Sequence, residues 1–338
     1  MITLGRESRF LTQRALAEQL SITTAKMSRV EKDNPSISEN LLEAFSKSLN
    51  YPKSFFYQNG EAIPMNLNFR KKQNVPQKLI VPIEAQINIY RLIIGRLFQA
   101  LKRPTSKIPL FDLGKTISPA KVAEELRQMW RIERGPLADL IEIIESKGII
   151  VLSFDFGTER VDSRTILTNE RQPIIVLNKS MLGDRLRFSL AYELGHLIMH
   201  TFANLSADRN IGHEANLFAA ELLMPKKDIK SQLNENLKIT DLAELKCKWK
   251  VSMQAILYRA NDLNIITNNQ KRYLLEQFNT LNIRRREPIE LDIPKETPKL
   301  LKNLIAEFKS KHRFSVKEVA DFFNLEQEDF LKLFHLSG

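Results

Sequence analysis

The stretch 187–200, RFSLAYELGHLIMH, determines how the middle of this chain folds. Its apolar residues recur at helical spacing, so the sequence predicts a helix over 185–200. Glu193 and His196 lie three residues apart, and His200 follows on the same helix face as His196. This placement of a carboxylate and two imidazoles is the first part of the sequence that indicates chemistry.

A second helix supplies another carboxylate. The stretch 213–225, HEANLFAAELLMP, predicts a helix over 213–223. The helix should stop at Pro225, because proline cannot continue the backbone hydrogen bonds. Glu214 lies near the beginning of this helix, next in the chain after the first one.

Zincin metallopeptidases carry the motif His-Glu-x-x-His on a helix. The two histidines lie one turn apart and bind zinc, and the glutamate polarises the metal-bound water. Here Glu193 and His196 stand in register with the motif, but Tyr192 occupies the position of the first histidine. A further ligand has to come from elsewhere in the chain, and Glu214 is the natural candidate.

Together these stretches closely resemble the ImmA/IrrE family of metallopeptidases. Beyond 188–200 the resemblance covers 148–151, 173–178, 184–188, 214–225 and 249–260. It implies a zincin-like domain with a metal site at His196 and Glu214, Glu193 as general base, and a cleft for a protein partner or peptide. Zinc is the implied cofactor, and Tyr192 is the departure from the family's pattern.

The phenol of Tyr192 argues against ordinary zinc peptidase activity. A neutral imidazole binds zinc near pH 7, whereas a phenol must first lose a proton, and its ordinary pKa is about 10. A phenolate also reaches further, and catalysis needs metal, water and base aligned to well under ~1 Å. His200 and His213 could compensate as ligands, or could be core or cap residues. Without a metal, the motif's glutamate needs a donor, for which Arg185 or Arg187 is available.

The N-terminal stretch 12–32, TQRALAEQLSITTAKMSRVEK, predicts two short helices joined by a tight turn. Thr12 and Thr23 can cap the two helices, and Ser38 can cap the next one. Such a pair is typical of a helix-turn-helix, whose second helix enters the DNA major groove with its first residues. The residues predicted to bind DNA are Gln13, Thr23, Thr24, Ala25, Lys26, Ser28 and Arg29. Gln13 could instead brace the second helix.

This stretch resembles the XRE (Cro/cI-type) helix-turn-helix family. The matching residues are Thr12-Gln13, Leu16-Ala17, Thr23, Ser28, Val30-Glu31 and 35–49. Ser21 stands where the family usually has glycine. Near-copies of the pattern occur at 241–263 and 314–334, but the last has Glu326, Glu328 and Asp329 where DNA would lie. Phosphates would repel those carboxylates, so we expect the 314–334 copy to be packing helices. The 241–263 copy has lysines but also Trp249 and Met253, and we expect it to be a helix pair that covers the metallopeptidase-like domain.

The expected fold is mainly α with a small β-sheet (α+β). Two β-rich runs, 149–154 and 173–177, predict the sheet. The predicted division is a helix-turn-helix domain at 1–60, a basic helical connector at 61–125, a metallopeptidase-like domain at 126–270 and a C-terminal helical region at 271–338. The whole arrangement looks like regulators that fuse XRE and ImmA/IrrE modules.

Composition limits the class of protein. The chain has 338 residues, 51 Lys and Arg against 40 Asp and Glu, and a net charge of +11, which indicates an anionic partner. Cys247 is the only cysteine, which excludes a disulfide framework and a thiolate zinc cage. No signal peptide and no run of about 20 apolar residues is present, so we expect no membrane partner and a cytoplasmic location.

Three functions fit these features. The favoured one is a transcription regulator that binds a double-stranded DNA operator as a homodimer, with its peptidase-like domain acting in sensing or partner binding. The second is an active zinc-dependent endopeptidase that cleaves a repressor or antitoxin. The third is a protein-interaction module whose N-terminal helices do not bind DNA. Tyr192 discriminates the second function from the others, and Lys26 with Arg29 discriminates the third.

Overall fold

The computed structural model describes residues 1–32, 37–58, 70–71, 75–111, 117–203 and 209–334. The helices are α1 (Ile2–Ser8), α2 (Gln13–Gln19), α3 (Thr24–Lys32), α4 (Glu39–Leu49), α5 (Lys53–Phe56), α6 (Gln77–Leu101), α7 (Pro119–Met129), α8 (Leu140–Ser146), α9 (Gly183–Met199), α10 (Ile211–Leu223), α11 (Lys226–Ile229), α12 (Ile239–Trp249), α13 (Met253–Asp262), α14 (Asn268–Thr280), α15 (Leu300–His312), α16 (Val316–Phe322) and α17 (Gln327–Phe334). The strands are β1 (Arg70–Lys71), β2 (Ile150–Phe154), β3 (Val161–Leu167) and β4 (Pro173–Asn178). The predicted class, mainly α with a small sheet, is confirmed.

The sheet separates two apolar layers. Its strand order is β1-β3-β4-β2, with β2 parallel to β4 and β3 antiparallel to it. Alternate residues of a strand point to opposite faces. On β4, Ile174 and Val176 therefore join a cluster with α6, α15 and the N-terminal helices, whereas Ile175 and Leu177 join a cluster with α9 and α10.

The sequence prediction missed the strand β3. The two predicted runs correspond to β2 and β4, but no strand was predicted between them. In the structure Asp162, Ser163, Arg164 and Thr165 are polar and yet buried. Each is buried because it has a hydrogen-bond or ion-pair partner on a helix, and such partners offset the cost of desolvation.

The helix α6 lies inside the molecule. The sequence predicted an amphipathic helix over 83–101, and the helix begins earlier, at Gln77. The isoleucines on both faces of α6 are buried. Arg91 is buried as well and is 3% exposed. Arg91 is therefore unavailable to a DNA backbone.

The N-terminal helices are capped as the sequence predicted. Thr12, Thr23 and Ser38 each accept a hydrogen bond from a backbone N–H in the first turn of the following helix. Between α2 and α3, Ser21 adopts a left-handed conformation with φ 52°. This is the position at which the resembling family has glycine, and glycine is the residue that adopts such a conformation without strain.

The four predicted regions share apolar cores. One cluster joins the N-terminal helices, α6, one face of the sheet and α15–α17, and the other joins α7–α10 with α12–α14. The division into regions at 60, 125 and 270 stays a prediction. The part of the connector at 61–69 falls outside the described residues.

Candidate functional site

The second half of α9 faces the beginning of α10 across a chain of hydrogen bonds. His196 and His200 approach each other through their Nδ1 atoms at 2.9 Å. His200 Nε2 then meets Glu214 Oε2 at 2.9 Å. The structure thus brings together three residues that the sequence singled out, and it links the α9 histidines to the α10 carboxylate.

His200 lies in the middle of this chain and is 7% exposed. Burial lowers the pKa of its imidazole, and the nearby Glu214 carboxylate opposes that shift only in part. The neutral imidazole is therefore favoured near pH 7. A neutral ring carries one N–H and one acceptor nitrogen, so it can relay a hydrogen bond from His196 to Glu214.

Glu193 is held from the sheet side. Ser163 Oγ donates to its Oε1 and Thr165 Oγ1 donates to its Oε2, each at 2.7 Å. Both donors stand on β3, where a spacing of two residues puts them on one face. The carboxylate is 2% exposed, and these bonds fix it against the strand.

The sequence did not identify Ser163 and Thr165, because it missed the strand that carries them. It offered Arg185 or Arg187 as donors to the glutamate instead, and these arginines have other partners. Arg185 pairs with Asp162 at 2.7 Å, and Arg187 donates to the carbonyl of Leu137 at 2.9 Å. The β-branched residues Val161, Thr165 and Ile166 were the available signal for the strand.

Tyr192 fills the position of the first motif histidine. Its ring packs edge-to-face on the His196 ring, with centroids 4.6 Å apart. Its hydroxyl lies close to Gly212 on α10, at 3.4 Å from where a Cβ on that residue would stand. The phenol therefore spans the gap between the two helices. The helices also touch at Gly195, where an added Cβ would lie 2.9 Å from the Phe218 ring.

The carboxylate of Glu214, the proposed metal ligand, pairs with the guanidinium of Arg209. Arg209 donates from Nε and Nη2 to Glu214 Oε1, at 3.0 and 2.8 Å. Glu214 therefore has a cation on one oxygen and an imidazole on the other. The backbone N–H of His213 donates to Oδ1 of Asn210, which is the residue that caps the start of α10. Among the residues that the structure describes, no group of three or more His, Cys, Asp or Glu side chains is placed to hold a metal ion.

With this geometry, the comparison with known families can be stated. Residues 144–261 match the family model of the IrrE N-terminal-like domain. The match contains β2–β4, α9, α10 and both helices of the 241–263 pair, and it does not reach the N-terminal helices. No curated protein matches the chain. The part of the chain that the structure describes contains no helix long and apolar enough to cross a membrane.

Outside the IrrE N-terminal-like domain, α3 presents a second candidate surface. Thr23, Thr24, Ala25, Lys26 and Arg29 are exposed, and Ser28 is half-buried. Met27 and Val30 are buried on the opposite side of α3. The helix therefore offers solvent a face of small and basic residues.

Gln13 does not belong to this exposed surface. Its Nε2 donates to Glu31 Oε2 at 2.7 Å, and Arg6 holds the same carboxylate through Nε and Nη2 at 2.6 and 3.0 Å. Glu31 thus ties α1 and α2 to the last turn of α3. Gln13 thus braces the second helix, one of the two roles suggested for it, and its contact with DNA stays a prediction.

Proposed function

We propose that this protein is a transcription regulator that binds an operator in double-stranded DNA through α3. The observation that carries the proposal is the exposed face of α3, with Lys26 and Arg29 among small residues. Small residues let a helix approach base edges closely, and cations contact phosphates. Arg6, Gln13 and Glu31 support this helix from behind, which fixes its orientation.

We propose further that the IrrE N-terminal-like domain binds a partner and does not hydrolyse peptides. The side chains at the zincin position do not fit a zinc ion. Tyr192 offers a phenol with an ordinary pKa of about 10, and the Arg209 guanidinium already neutralises Glu214. Glu193 is hydrogen-bonded to two hydroxyls of β3, and it acts as a link between α9 and the sheet.

A protein partner or peptide is the expected ligand of this domain. A groove beside α9 and α10 is lined by apolar and charged groups, among them Phe188, Tyr258 and Arg285. Its cavity volume of about 970 Å³ accommodates several side chains of an extended segment. The α9 turn that carries Phe188 is adjacent to the Tyr192 turn, so an occupant of the groove would lie next to the altered site.

We also propose that the protein binds DNA as a homodimer. Two helix-turn-helix units related by a twofold axis meet half-sites about one DNA turn apart. The long helix α6 and the C-terminal helices are the candidates for the dimer contact. Because most of α6 is buried within one chain, we place the contact on the C-terminal helices.

The test of DNA binding starts with operator selection. A random duplex library is selected on the full chain, and the affinity for the recovered site is measured at several salt concentrations. We expect Lys26→Ala/Arg29→Ala to weaken binding and to reduce the salt slope by about 2, because each phosphate contact contributes roughly 1. Glu326→Ala/Glu328→Ala at the beginning of α17 is the control at the corresponding helix pair and should leave the slope unchanged. Unchanged binding by the α3 variant would favour a protein-interaction module.

The family match gives one reason to consider an active zinc endopeptidase that cleaves a repressor or antitoxin. Elemental mass spectrometry of the purified protein, beside Tyr192→His, separates the two functions. We expect zinc only in the Tyr192→His variant, because an imidazole restores the missing ligand. Stoichiometric zinc in the unmodified protein, with hydrolysis of a peptide library that Glu193→Gln abolishes, would establish the endopeptidase instead.

A further inference from the structure

The helix α15 and the residues that follow it carry a strongly positive surface. The stretch 299–317 contains six Lys and Arg residues and one carboxylate, Glu307. The predicted helix-turn-helix domain at 1–60 contains eight Lys and Arg residues and six carboxylates. The short stretch around α15 therefore contributes more to the positive net charge of the chain than the whole domain that we propose to bind DNA.

The inner side of α15 is fixed to the rest of the molecule. The buried residues on this side belong to the apolar cluster that also contains α6 and β2, and they are Leu301, Leu304, Ile305 and Phe308. At the beginning of the helix, Glu145 Oε2 accepts the backbone N–H groups of Lys299 and Leu300 at 2.8 and 3.0 Å. The orientation of the outer side is therefore set by packing.

The outer side of α15 presents cations to solvent. Lys302 and Lys309 lie seven residues apart, which places them on one side of the helix about 10 Å from each other. Ala306 stands between them, and Arg313 follows at the C-cap. All four residues are exposed. The side chains of Lys302, Lys309 and Arg313 make no hydrogen bond or ion pair with any residue that the structure describes.

No carboxylate of α15 faces these cations. Glu307 lies about 160° around the helix from Lys309, and it pairs with Arg103 at the end of α6 at 2.6 Å. The positions three and four residues away from Lys302 and from Lys309, where a helical ion pair would form, contain no acidic residue. The outer side of α15 therefore keeps its positive charge.

Helix stability does not account for this charge. Cations in the last turn of a helix are favourable, because they lie at the negative end of the helix dipole, and Lys309 is in such a position. Lys299 and Lys302, however, stand at the beginning of α15, where a positive charge is unfavourable. Their charge lowers helix stability, which indicates a role in binding an anionic partner.

The composition of the surface indicates which partner. Within 299–317, all of which the structure describes, no large apolar side chain is exposed. A helix that lies on a membrane buries apolar side chains in it, and a protein interface has an apolar centre. The phosphate backbone of DNA requires only cations and small polar groups. Asn303 and Ser310 are the exposed polar residues beside the lysines.

We propose that the outer side of α15, with Lys302, Lys309 and Arg313, binds the phosphate backbone of duplex DNA without regard to base sequence. The proposal rests on the proposed function, because it takes DNA as the partner, and it adds a contact surface separate from α3. Residues of α15 and of the N-terminal helices belong to one apolar cluster, so both surfaces are part of one packed body. The α15 surface holds the protein on DNA of any sequence, and α3 selects the operator.

Fluorescence anisotropy of the full chain with a labelled duplex of arbitrary sequence tests the surface at several salt concentrations. We expect Lys302→Gln/Lys309→Gln/Arg313→Gln to weaken binding at least tenfold and to reduce the salt slope by about 3, because each phosphate contact contributes roughly 1. Lys230→Gln/Lys248→Gln/Arg272→Gln removes the same charges from exposed positions elsewhere, and should keep the affinity within twofold. Equal effects of the two triple variants would overturn the proposal, because net charge alone would then explain binding.

The α3 variant Lys26→Ala/Arg29→Ala separates failure of this proposal from failure of the proposed function. If the α3 variant loses operator binding and the α15 variant binds DNA unchanged, only the α15 surface is refuted. If the unmodified chain binds no duplex, both proposals fail. Vesicles of phosphatidylserine and phosphatidylcholine provide the membrane comparison. Vesicle binding that the α15 variant abolishes, with DNA binding unchanged, would assign the surface to a membrane instead.

A single substitution tests the surface without removing a cation. Ala306→Glu places a carboxylate between Lys302 and Lys309, within reach of both on the same side of the helix. Ala306→Gln has the same shape without the charge. We expect Ala306→Glu to weaken duplex binding at least fivefold and Ala306→Gln to keep it within twofold, with circular dichroism confirming the fold of both. Equal affinities of the two folded variants would show that DNA does not contact this side of α15.

Discussion

The helix pairs α2–α3 and α16–α17 share one framework and differ in what their second helices contact. Thr12 and Ser315 cap the first helices, and Ser21 and Asn324 form the turns with φ 52° and 57°. The core positions correspond at a constant offset: Leu16 with Val319, Ala17 with Ala320, the partly buried Ile22 with Leu325, and Met27 with Phe330. The backbone geometry is therefore common to both pairs.

The difference lies at the beginning of the second helix. Lys26 on α3 is exposed, whereas its counterpart Asp329 on α17 pairs with Arg9 and accepts a hydrogen bond from Asn50. The acidic position thus attaches the C-terminal helices to the N-terminal ones. One helix pair can therefore serve for packing or for recognition, depending on whether that surface meets another part of the chain.

Removing the core of α17 should have the largest effect. Phe330 is 1% exposed and stacks with Phe323, so Phe330→Ala should lower the free energy of unfolding by roughly 3–5 kcal/mol. Met27→Ala at the corresponding position of α3 should cost about 2–5 kcal/mol. Urea unfolding followed by circular dichroism measures both. The exposed Tyr273→Ala is the control, and a Phe330→Ala loss as small as that of the control would mean that α17 is not part of the core.

The two helix pairs also differ in charge at the position four residues after the buried Met27 and Phe330. Glu31 on α3 holds Arg6 and Gln13, whereas its counterpart on α17 is the apolar Phe334. Glu31→Gln should cost roughly 1–3 kcal/mol, because it removes the carboxylate that the buried Arg6 guanidinium contacts through Nε and Nη2 and leaves Glu7 as its remaining carboxylate. Glu18→Gln removes an exposed i,i+4 ion pair with Arg14 in the same helices, and should cost under about 0.5 kcal/mol. Equal unfolding midpoints of the two variants would contradict the bracing role of Glu31.

A pH effect should appear at the C-terminal pair and not at α2–α3. Tyr90 on α6 donates to the Leu333 carbonyl at 2.6 Å, and burial raises the pKa of its phenol. With the folded pKa above the unfolded value, this stability is fully present below about pH 10 and is lost as the pH rises through the folded value. Thermal unfolding across that range should show a steeper alkaline loss for the unmodified protein than for Tyr90→Phe. Parallel curves would show that Tyr90 does not contribute.

The parts of the fold that could be predicted were those with local signals. The helices α9 and α10 follow from apolar periodicity and Pro225, and the caps of α2, α3 and α4 follow from Thr12, Thr23 and Ser38. The strand β3 was missed, because its central polar residues interrupt the β-branched signal and become buried only through distant partners. Arg164, for example, meets a carboxylate 80 positions away.

The candidate site shows the same limit. The motif spacing brought His196, His200 and Glu214 to attention, and the structure joins them. The motif does not include Arg209, whose guanidinium comes from the segment before α10 and changes the charge at Glu214. What such a site can bind depends on contacts between helices, strands and loops from different parts of the sequence. No single stretch of sequence shows those contacts.

The turns offer the smallest and most discriminating test. Ser21 and Asn324 have nearly the same left-handed φ, but asparagine tolerates that conformation better than serine does. Glycine at either position removes the strain that a side chain causes at positive φ. Glycine also raises the conformational entropy of the unfolded chain, which offsets part of that gain in stability. Ser21→Gly should therefore raise the free energy of unfolding by about 0.5–1 kcal/mol, and Asn324→Gly by less. Urea unfolding of both variants decides the point. If Asn324→Gly raises the free energy of unfolding as much as Ser21→Gly does, the two turns store equal strain. The serine at position 21 is then no departure from the helix-turn-helix pattern in energetic terms.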